Sequence, residues 1–227
     1  MCGKNFGECE LKGFILRDGD LGYRFIPKVA SSSIKSTLLT LEGVAQKNVH
    51  KLGKRQARID DCKQRVIVIR DPIKRFLSAY GNRVGYHKEL SKEYLNRRLP
   101  IMHHFLPHLN PSLNQFIRYY KIYARVQTIK HHTKPISSWL MGNDLSFFTD
   151  VYKIEELTKF EQDLSDLFNQ EVKFPRKQTG GKKHTLKSLN KRQIRYLLKL
   201  YDEDYKLLKG HYTKEMVWDE WRSLTNS

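Results

Sequence analysis

Two short stretches carry residue types suited to holding anions. The first is Tyr23-Arg24-Phe25-Ile26-Pro27-Lys28-Val29-Ala30-Ser31-Ser32-Ser33-Ile34-Lys35. The second, about forty residues later, is Val66-Ile67-Val68-Ile69-Arg70-Asp71-Pro72-Ile73-Lys74-Arg75-Phe76-Leu77-Ser78-Ala79-Tyr80. Each reads as a strand that stops at a turn and continues as a helix. Backbone N–H groups at such a turn, together with the helix dipole, favour negative charge. The pair therefore suits one ligand with phosphate-type groups at two ends.

In the first stretch, Ser31, Ser32 and Ser33 add hydroxyl donors and Lys28 adds a mobile positive charge. The pattern Gly-x-x-x-x-Gly-Lys-Ser/Thr is absent, and with it the usual Mg²⁺ ligand. A ligand handled without metal is therefore expected. The plainer alternative is a serine-rich N-cap after an edge strand. In the second stretch, Arg70 stands at the carboxyl end of a strand, where α/β proteins place ligand groups. Its guanidinium matches a phosphate bidentately. Ser78 lies two turns into the following helix and can serve the same anion. Asp71 caps that helix, and Arg75 is expected at the surface rather than at the ligand. Without the first stretch, Arg70 would read as an ordinary salt-bridge partner.

The elements that must position these residues follow from periodicity. Tyr23 to Ile26 reads as a strand, followed by a helix from about Ser32 with Ile34, Leu38 and Leu41 on one face. Val66 to Ile69 are four consecutive β-branched residues, the mark of a strand buried on both faces. Asp71 as N-cap, Pro72 at the first position and the stripe Ile73, Phe76, Leu77 and Tyr80 define the next helix. The basic, histidine-rich 86–109 stretch reads as loop with short helices, and Leu113 to Tyr123 as helix. A third strand is expected at Asp150 to Ile154, then an amphipathic helix through Leu157, Phe160, Leu164 and Leu167. Phe174 to Leu186 reads as a Gly/Lys loop. One late helix runs through Ile194, Leu197, Leu198, Tyr201 and Tyr205. The strand–helix alternation argues for a parallel sheet flanked by helices.

The 227 residues suit one domain with a real core. The formal net charge of +18 attracts polyanions, without choosing among glycan, nucleic acid, anionic membrane or nucleotide. No apolar run reaches the roughly eighteen residues of a membrane span, and the N-terminus shows no signal-peptide pattern. The three cysteines, Cys2, Cys9 and Cys62, have no metal-type spacing. The cytoplasm is the expected location if the chain is full length.

At these residues the chain resembles the carbohydrate sulfotransferases that use 3′-phosphoadenosine-5′-phosphosulfate (PAPS), in their heparan 2-O and chondroitin-type branches, as a compact, soluble member. Ile26-Pro27-Lys28-Val29-Ala30-Ser31-Ser32-Ser33 resembles their 5′-phosphosulfate loop, and Arg70-Asp71-Pro72 through Ser78 and Tyr80 their 3′-phosphate motif. Weaker similarity continues at His132-Thr133-Lys134-Pro135, at Val151 to Leu157, and at the Gly/Lys loop Thr179 to Thr185. The resemblance spans roughly Tyr23 to Leu208.

The resemblance implies a single sulfotransferase domain over 1–227, with the 5′ loop at 26–35, the 3′ motif at 66–80 and a late nucleotide-covering loop at about 176–187. The fold class is α/β, a P-loop-like three-layer fold with a central, mostly parallel sheet flanked by helices. The reaction is transfer of sulfonate from PAPS to a hydroxyl, without metal, releasing adenosine 3′,5′-bisphosphate. Lys28 stabilises charge on the leaving oxygen. Backbone groups of Val29 and of Ala30 to Ser33 hold the 5′-phosphate, and Arg70 and Ser78 hold the 3′-phosphate. Lys177, Thr179, His184 and Thr185 cover the nucleotide. The base is His50, preferred, or His132; Glu155 and Glu156 are lesser candidates. His103, His104 and His108 lack the companions of a metal site.

The basic surplus favours an anionic polysaccharide or oligosaccharide acceptor, with Arg83, Lys88, Arg97, Arg98 and Lys130 as groove candidates. Alternative acceptors are a lipid, a small molecule or tyrosine. A different class of reading is a catalytically silent polyanion-binding protein on the same fold. Nucleic acid is disfavoured because no nucleic-acid signature is present.

Overall fold

Four β-branched residues in a row make a strand that needs cover on both faces, and Val66, Ile67, Val68 and Ile69 are all at most 1% exposed. They belong to β4 (Gln64–Ile69), an interior strand of a sheet that has five strands among the described residues. The computed structural model describes residues 11–43, 57–99, 101–140, 145–175 and 181–226. The other strands are β1 (Lys12–Leu16), β2 (Leu21–Arg24), β3 (Ala57–Arg58) and β5 (Asp150–Lys153), in the order β3-β1-β2-β4-β5. β2, β4 and β5 are parallel to one another, with Tyr23 beside Val66 and Val68 beside Tyr152. β1 and β3 extend the sheet as an antiparallel edge, a part the sequence reading did not include. β2 stops at Arg24 rather than Ile26, just before Pro27, which has no N–H for a ladder.

The chain divides into two compact units: the described residues of Met1–Arg70 with Ser137–Gln178, and those of Asp71–Ile136 with Thr179–Ser227. The first unit contains the sheet. Its helices include α1 (Ser31–Leu41), and later in the sequence come α7 (Ser137–Leu140) and α8 (Leu157–Phe168). Cross-strand register puts Phe14, Tyr23, Val66, Val68 and Tyr152 on one face of the sheet. On that face Phe160 of α8 stacks against Tyr23 and Tyr152, with ring centroids 6.0 and 4.7 Å apart. Lys35 of α1 lies over the Phe25 ring at 3.3 Å and near Phe14 at 5.5 Å. On the other face two glycines bring the chain close. A Cβ at Gly13 would sit 2.5 Å from the Tyr23 carbonyl oxygen, and one at Gly22 would sit 2.7 Å from the Ile59 side chain.

The second unit is helical. It holds α2 (Pro72–Ala79), α3 (Lys92–Arg98), α4 (Leu113–Arg118), α5 (Tyr120–Tyr123), α6 (Gln127–Thr133), α9 (Lys191–Leu200), α10 (Asp202–Leu207) and α11 (Lys214–Thr225). Its core is aromatic: Phe76 of α2 meets Phe116, Tyr120 and Tyr201 at 5.4, 5.4 and 6.2 Å between centroids. The helix expected over 113–123 breaks at Tyr119, and the late helix breaks at Tyr201. The Tyr201 side chain is fully buried, with its hydroxyl donating to the Thr133 carbonyl at 2.6 Å. Among the described residues, no helix is long and apolar enough to cross a membrane.

Candidate active site

The loop between β2 and α1 is held by its apolar residues. Ile26, Val29 and Ile34 are each 0% exposed, so they anchor both sides of the turn in the core. Lys28, half-buried, lies between two of those anchors. Its φ is +72°, and that of Ala30 is +58°, so two non-glycine residues occupy the left-handed region within three positions. Each such residue costs about 1 kcal/mol or more, and the cost is sustained only where the surroundings dictate the shape. Left-handed residues ahead of a helix turn successive N–H groups toward a common point, which makes an anion-binding concavity.

The helix that follows adds its own end to this point. Ala30 is the N-cap of α1, and no side chain caps that end. The serines are therefore the first three helical residues, not the cap, and the serine-cap alternative does not hold. Ser33 and Ile34 N–H both return to the Ala30 carbonyl, at 2.9 and 3.1 Å. Ser31 and Ser33 are buried, and Ser32 is half-buried. Helix α2 is finished differently. Asp71 accepts from the Lys74 N–H at 2.9 Å and from the Tyr205 hydroxyl at 2.9 Å, with Pro72 at the first helical position. Burial pushes the Asp71 carboxyl pKa up despite those two donors. The capping role expected for Asp71 is what the chain displays.

Arg70 follows directly on β4 and is half-buried. Its Nη1 donates to the carbonyl oxygen of Lys28 at 3.2 Å. Lys28 of the first motif and Arg70 of the second, about forty residues apart in sequence, thus meet within the first unit. A guanidinium, a lysine, a twisted loop and an uncapped helix end share one locality. Such an arrangement can bind an anion and can stabilise negative charge as it develops.

The remaining candidates divide as follows. Ser78 lies on α2 in the second unit, half-buried. His132 is half-buried in the last turn of α6. Its carbonyl accepts from Arg75 Nη1 at 3.2 Å, and a second Arg75 nitrogen donates to the Lys134 carbonyl. Arg75 is 0% exposed, which corrects the expectation of a surface charge. Its stem fills the core of the second unit and its fork satisfies carbonyls at the end of α6, where the helix leaves acceptors unpaired. His184 is half-buried, with its ring 5.1 Å from that of Tyr80. Burial and the Lys182 charge hold its imidazole pKa below the ordinary value. Thr185 is exposed and precedes a short helical turn, Leu186–Ser188. His50, Lys177 and Thr179 lie outside the described residues.

Two features escaped the sequence reading. After α2 the chain widens into a π-helical turn, Tyr80–Tyr86, a geometry often found at functional sites. The late Gly/Lys stretch packs directly on it. A Cβ on Gly81 would lie 2.6 Å from the Lys182 carbonyl oxygen, and one on Gly181 would lie 2.6 Å from the Gly81 carbonyl oxygen. The paired glycines at 81 and 181 were the signal that could have revealed this apposition. Of the proposed groove cations, Arg83 is bound to buried Glu89 at 3.0 Å, whereas Lys88, Arg97, Arg98 and Lys130 are exposed. Glu156 pairs with Lys153 at 2.8 Å, which lowers its carboxyl pKa. Among the described residues, no group of three or more His, Cys, Asp and Glu side chains is arranged to hold a metal.

A family model described as "Sulfotransferase family" matches residues 14–212. The match runs from within β1 through α10 and includes both motifs, and the chain belongs to the sulfotransferase family. Neither the curated proteins nor the solved structures gave a significant match.

Proposed function

We propose that the chain is a PAPS-dependent O-sulfotransferase whose acceptor is a hydroxyl of an anionic glycan, and that its sheet and first loop are of the P-loop-like kind. The observation that carries the reading is the Arg70–Lys28 hydrogen bond, which joins the arginine of the second motif to the loop of the first within one unit. The residues present fit the donor. The uncapped N-terminus of α1 and the left-handed Lys28 and Ala30 suit a phosphate-type group, and the adjacent guanidinium suits a second one.

PAPS, when bound, supplies an activated sulfonate attached to a phosphate leaving group. In this reading the N–H groups of Ala30 to Ser33 hold the 5′ end. Val29 is fully buried, so it can contribute only through its backbone. Lys28 neutralises charge on the leaving oxygen, a contribution of a few kcal/mol in a water-poor site. Arg70 holds the 3′-phosphate, and the motif assigns Ser78 to the same group. The base, His50 or His132, takes the proton of the acceptor hydroxyl as its oxygen bonds to sulfur. His184, Thr185, Lys177 and Thr179 belong to the segment assigned to cover the nucleotide.

The test is transfer of radiolabelled sulfonate from PAPS across a panel of glycans, with Lys28→Ala as the blank. Label on an anionic glycan, lost in the blank, supports the reading. Label only on a lipid, a phenol or a neutral sugar rejects the acceptor. No label on any acceptor, in a protein that still binds the nucleotide, points to the catalytically silent form.

A further inference from the structure

Helices α9 and α11 form a groove in the second unit, lined by residues to which neither motif refers. Lys191 and Arg195 are four apart on α9, and Trp218 and Trp221 are three apart on α11, so each pair shares a helix face. With Arg222 they line an open groove of about 370 Å³. The indole rings stand almost perpendicular, at 84° with centroids 5.7 Å apart. Trp221 is fixed in place because its Nε1 donates to the Leu189 carbonyl at 2.9 Å. Its polar atom is thus satisfied, and the ring contributes apolar surface.

The cations are available for a ligand. Lys191 and Arg195 are exposed and have no carboxylate partner among the described residues. Arg222 pairs with Asp219 at 3.2 Å, but both side chains are well exposed, so the pair is weak and Arg222 can exchange partners. Two half-buried tryptophans left open to solvent beside three cations make an unusual surface for a structural role alone.

We propose that this groove binds an anionic saccharide. The C–H face of a pyranose ring packs against an indole, whose negative π face attracts the ring hydrogens. A sulfate or carboxylate on that sugar, or on its neighbour, meets Arg195, Lys191 or Arg222, with the arginines able to engage it bidentately. The perpendicular rings form a corner, not the succession of parallel platforms on which bases stack. The volume is that of a small-ligand pocket rather than a long phosphate track. The proposal deepens the anionic-glycan reading by giving that glycan a place to be held. Its chemistry depends on α9 and α11 alone, and it includes no bond-forming step.

The test uses the full chain and a sulfated heparin-type hexasaccharide, its fully desulfated counterpart, a neutral glucose hexasaccharide and a single-stranded DNA oligomer of matching charge. Affinity is measured by calorimetry at two salt concentrations, alongside binding of adenosine 3′,5′-bisphosphate. Arg195→Glu and Lys191→Ala with Arg195→Ala change only exposed side chains; Trp218→Ala tests the aromatic wall. Each variant should weaken the sulfated hexasaccharide about tenfold or more, with unchanged melting for the α9 variants. The desulfated and neutral sugars should bind the wild type more weakly. Unchanged saccharide affinity in the α9 variants overturns the proposal, and so does tighter binding of the DNA that these same variants abolish. Nucleotide binding reports separately on the donor site: its absence would reject the sulfotransferase chemistry and leave the groove assignment standing or falling by its own result.

Discussion

The contact between the π-helical turn and the late Gly/Lys stretch makes a sharp mechanical prediction. Replacing Gly81 with alanine places a methyl 2.6 Å from the Lys182 carbonyl oxygen, against the 3.4 Å at which ordinary contact begins, so one backbone must move by about 0.8 Å. Neither side is a flexible side-chain tip. Lys182 is held near by Gly181, whose φ of +95° no other residue adopts easily, and whose own Cβ position is blocked by the Gly81 carbonyl. Overpacking of this kind costs about 1–3 kcal/mol, and here the cheaper response is release of the 181–184 stretch. Gly85 supplies the control: it is exposed in the same turn, and its Cβ would meet nothing closer than 4.0 Å. Gly85→Ala should be neutral or slightly stabilising. Urea unfolding gives the stability difference, and hydrogen exchange of amides 182–185 reports the local release. Matching stabilities for the two variants within about 0.5 kcal/mol, with unchanged exchange, would show that the close approach is not a constraint.

Three further outcomes follow from particular side chains. Arg75→Ala should cost about 3 kcal/mol or more in urea unfolding, because it leaves a cavity and removes the donor to two carbonyls; a loss below about 1 kcal/mol would contradict the buried role. Burial lowers the Lys35 amine pKa to about 8, from 10.5 in the unfolded chain. Between those values the unfolded state binds more protons, so stability should rise with pH from about 8 to 10.5. Lys35→Met should flatten that rise, as measured by melting across the pH range, and an unaltered slope would remove Lys35 as its source. His50→Ala should keep nucleotide affinity while turnover falls about 10²-fold or more; near-normal turnover transfers the role of base to His132.

Much of this was legible where local chemistry determines structure. The run Val66 to Ile69, the Asp71-Pro72 start of α2 and the apolar stripe of α8 each became the expected element, because burial on two faces, a capping carboxylate and helical periodicity act over a few residues. What was missed depends on partners distant in sequence. β1 runs close to the Tyr23 backbone at Gly13, the 59–62 segment lies close to Gly22, and Arg75 is buried where carbonyls nearly sixty residues later take its donors. The motif residues Lys28 and Arg70 could be named from their types. The left-handed turn at Lys28 and Ala30 could not, since neither residue favours it locally. The α9–α11 groove was also hidden, because its two helical faces are brought together only by folding.

The most direct test is titration of adenosine 3′,5′-bisphosphate into the wild-type chain and into Arg70→Ala. A charge-assisted contact to phosphate is lost in the variant, so its affinity should fall by about tenfold to a hundredfold from a low-micromolar or tighter starting value, measured at a temperature well below the slightly lowered melting point that loss of the bond to the Lys28 carbonyl entails. A wild-type chain that does not bind this nucleotide, or a variant that binds it as tightly, would contradict the assignment of the Lys28–Arg70 locality to the sulfonate donor.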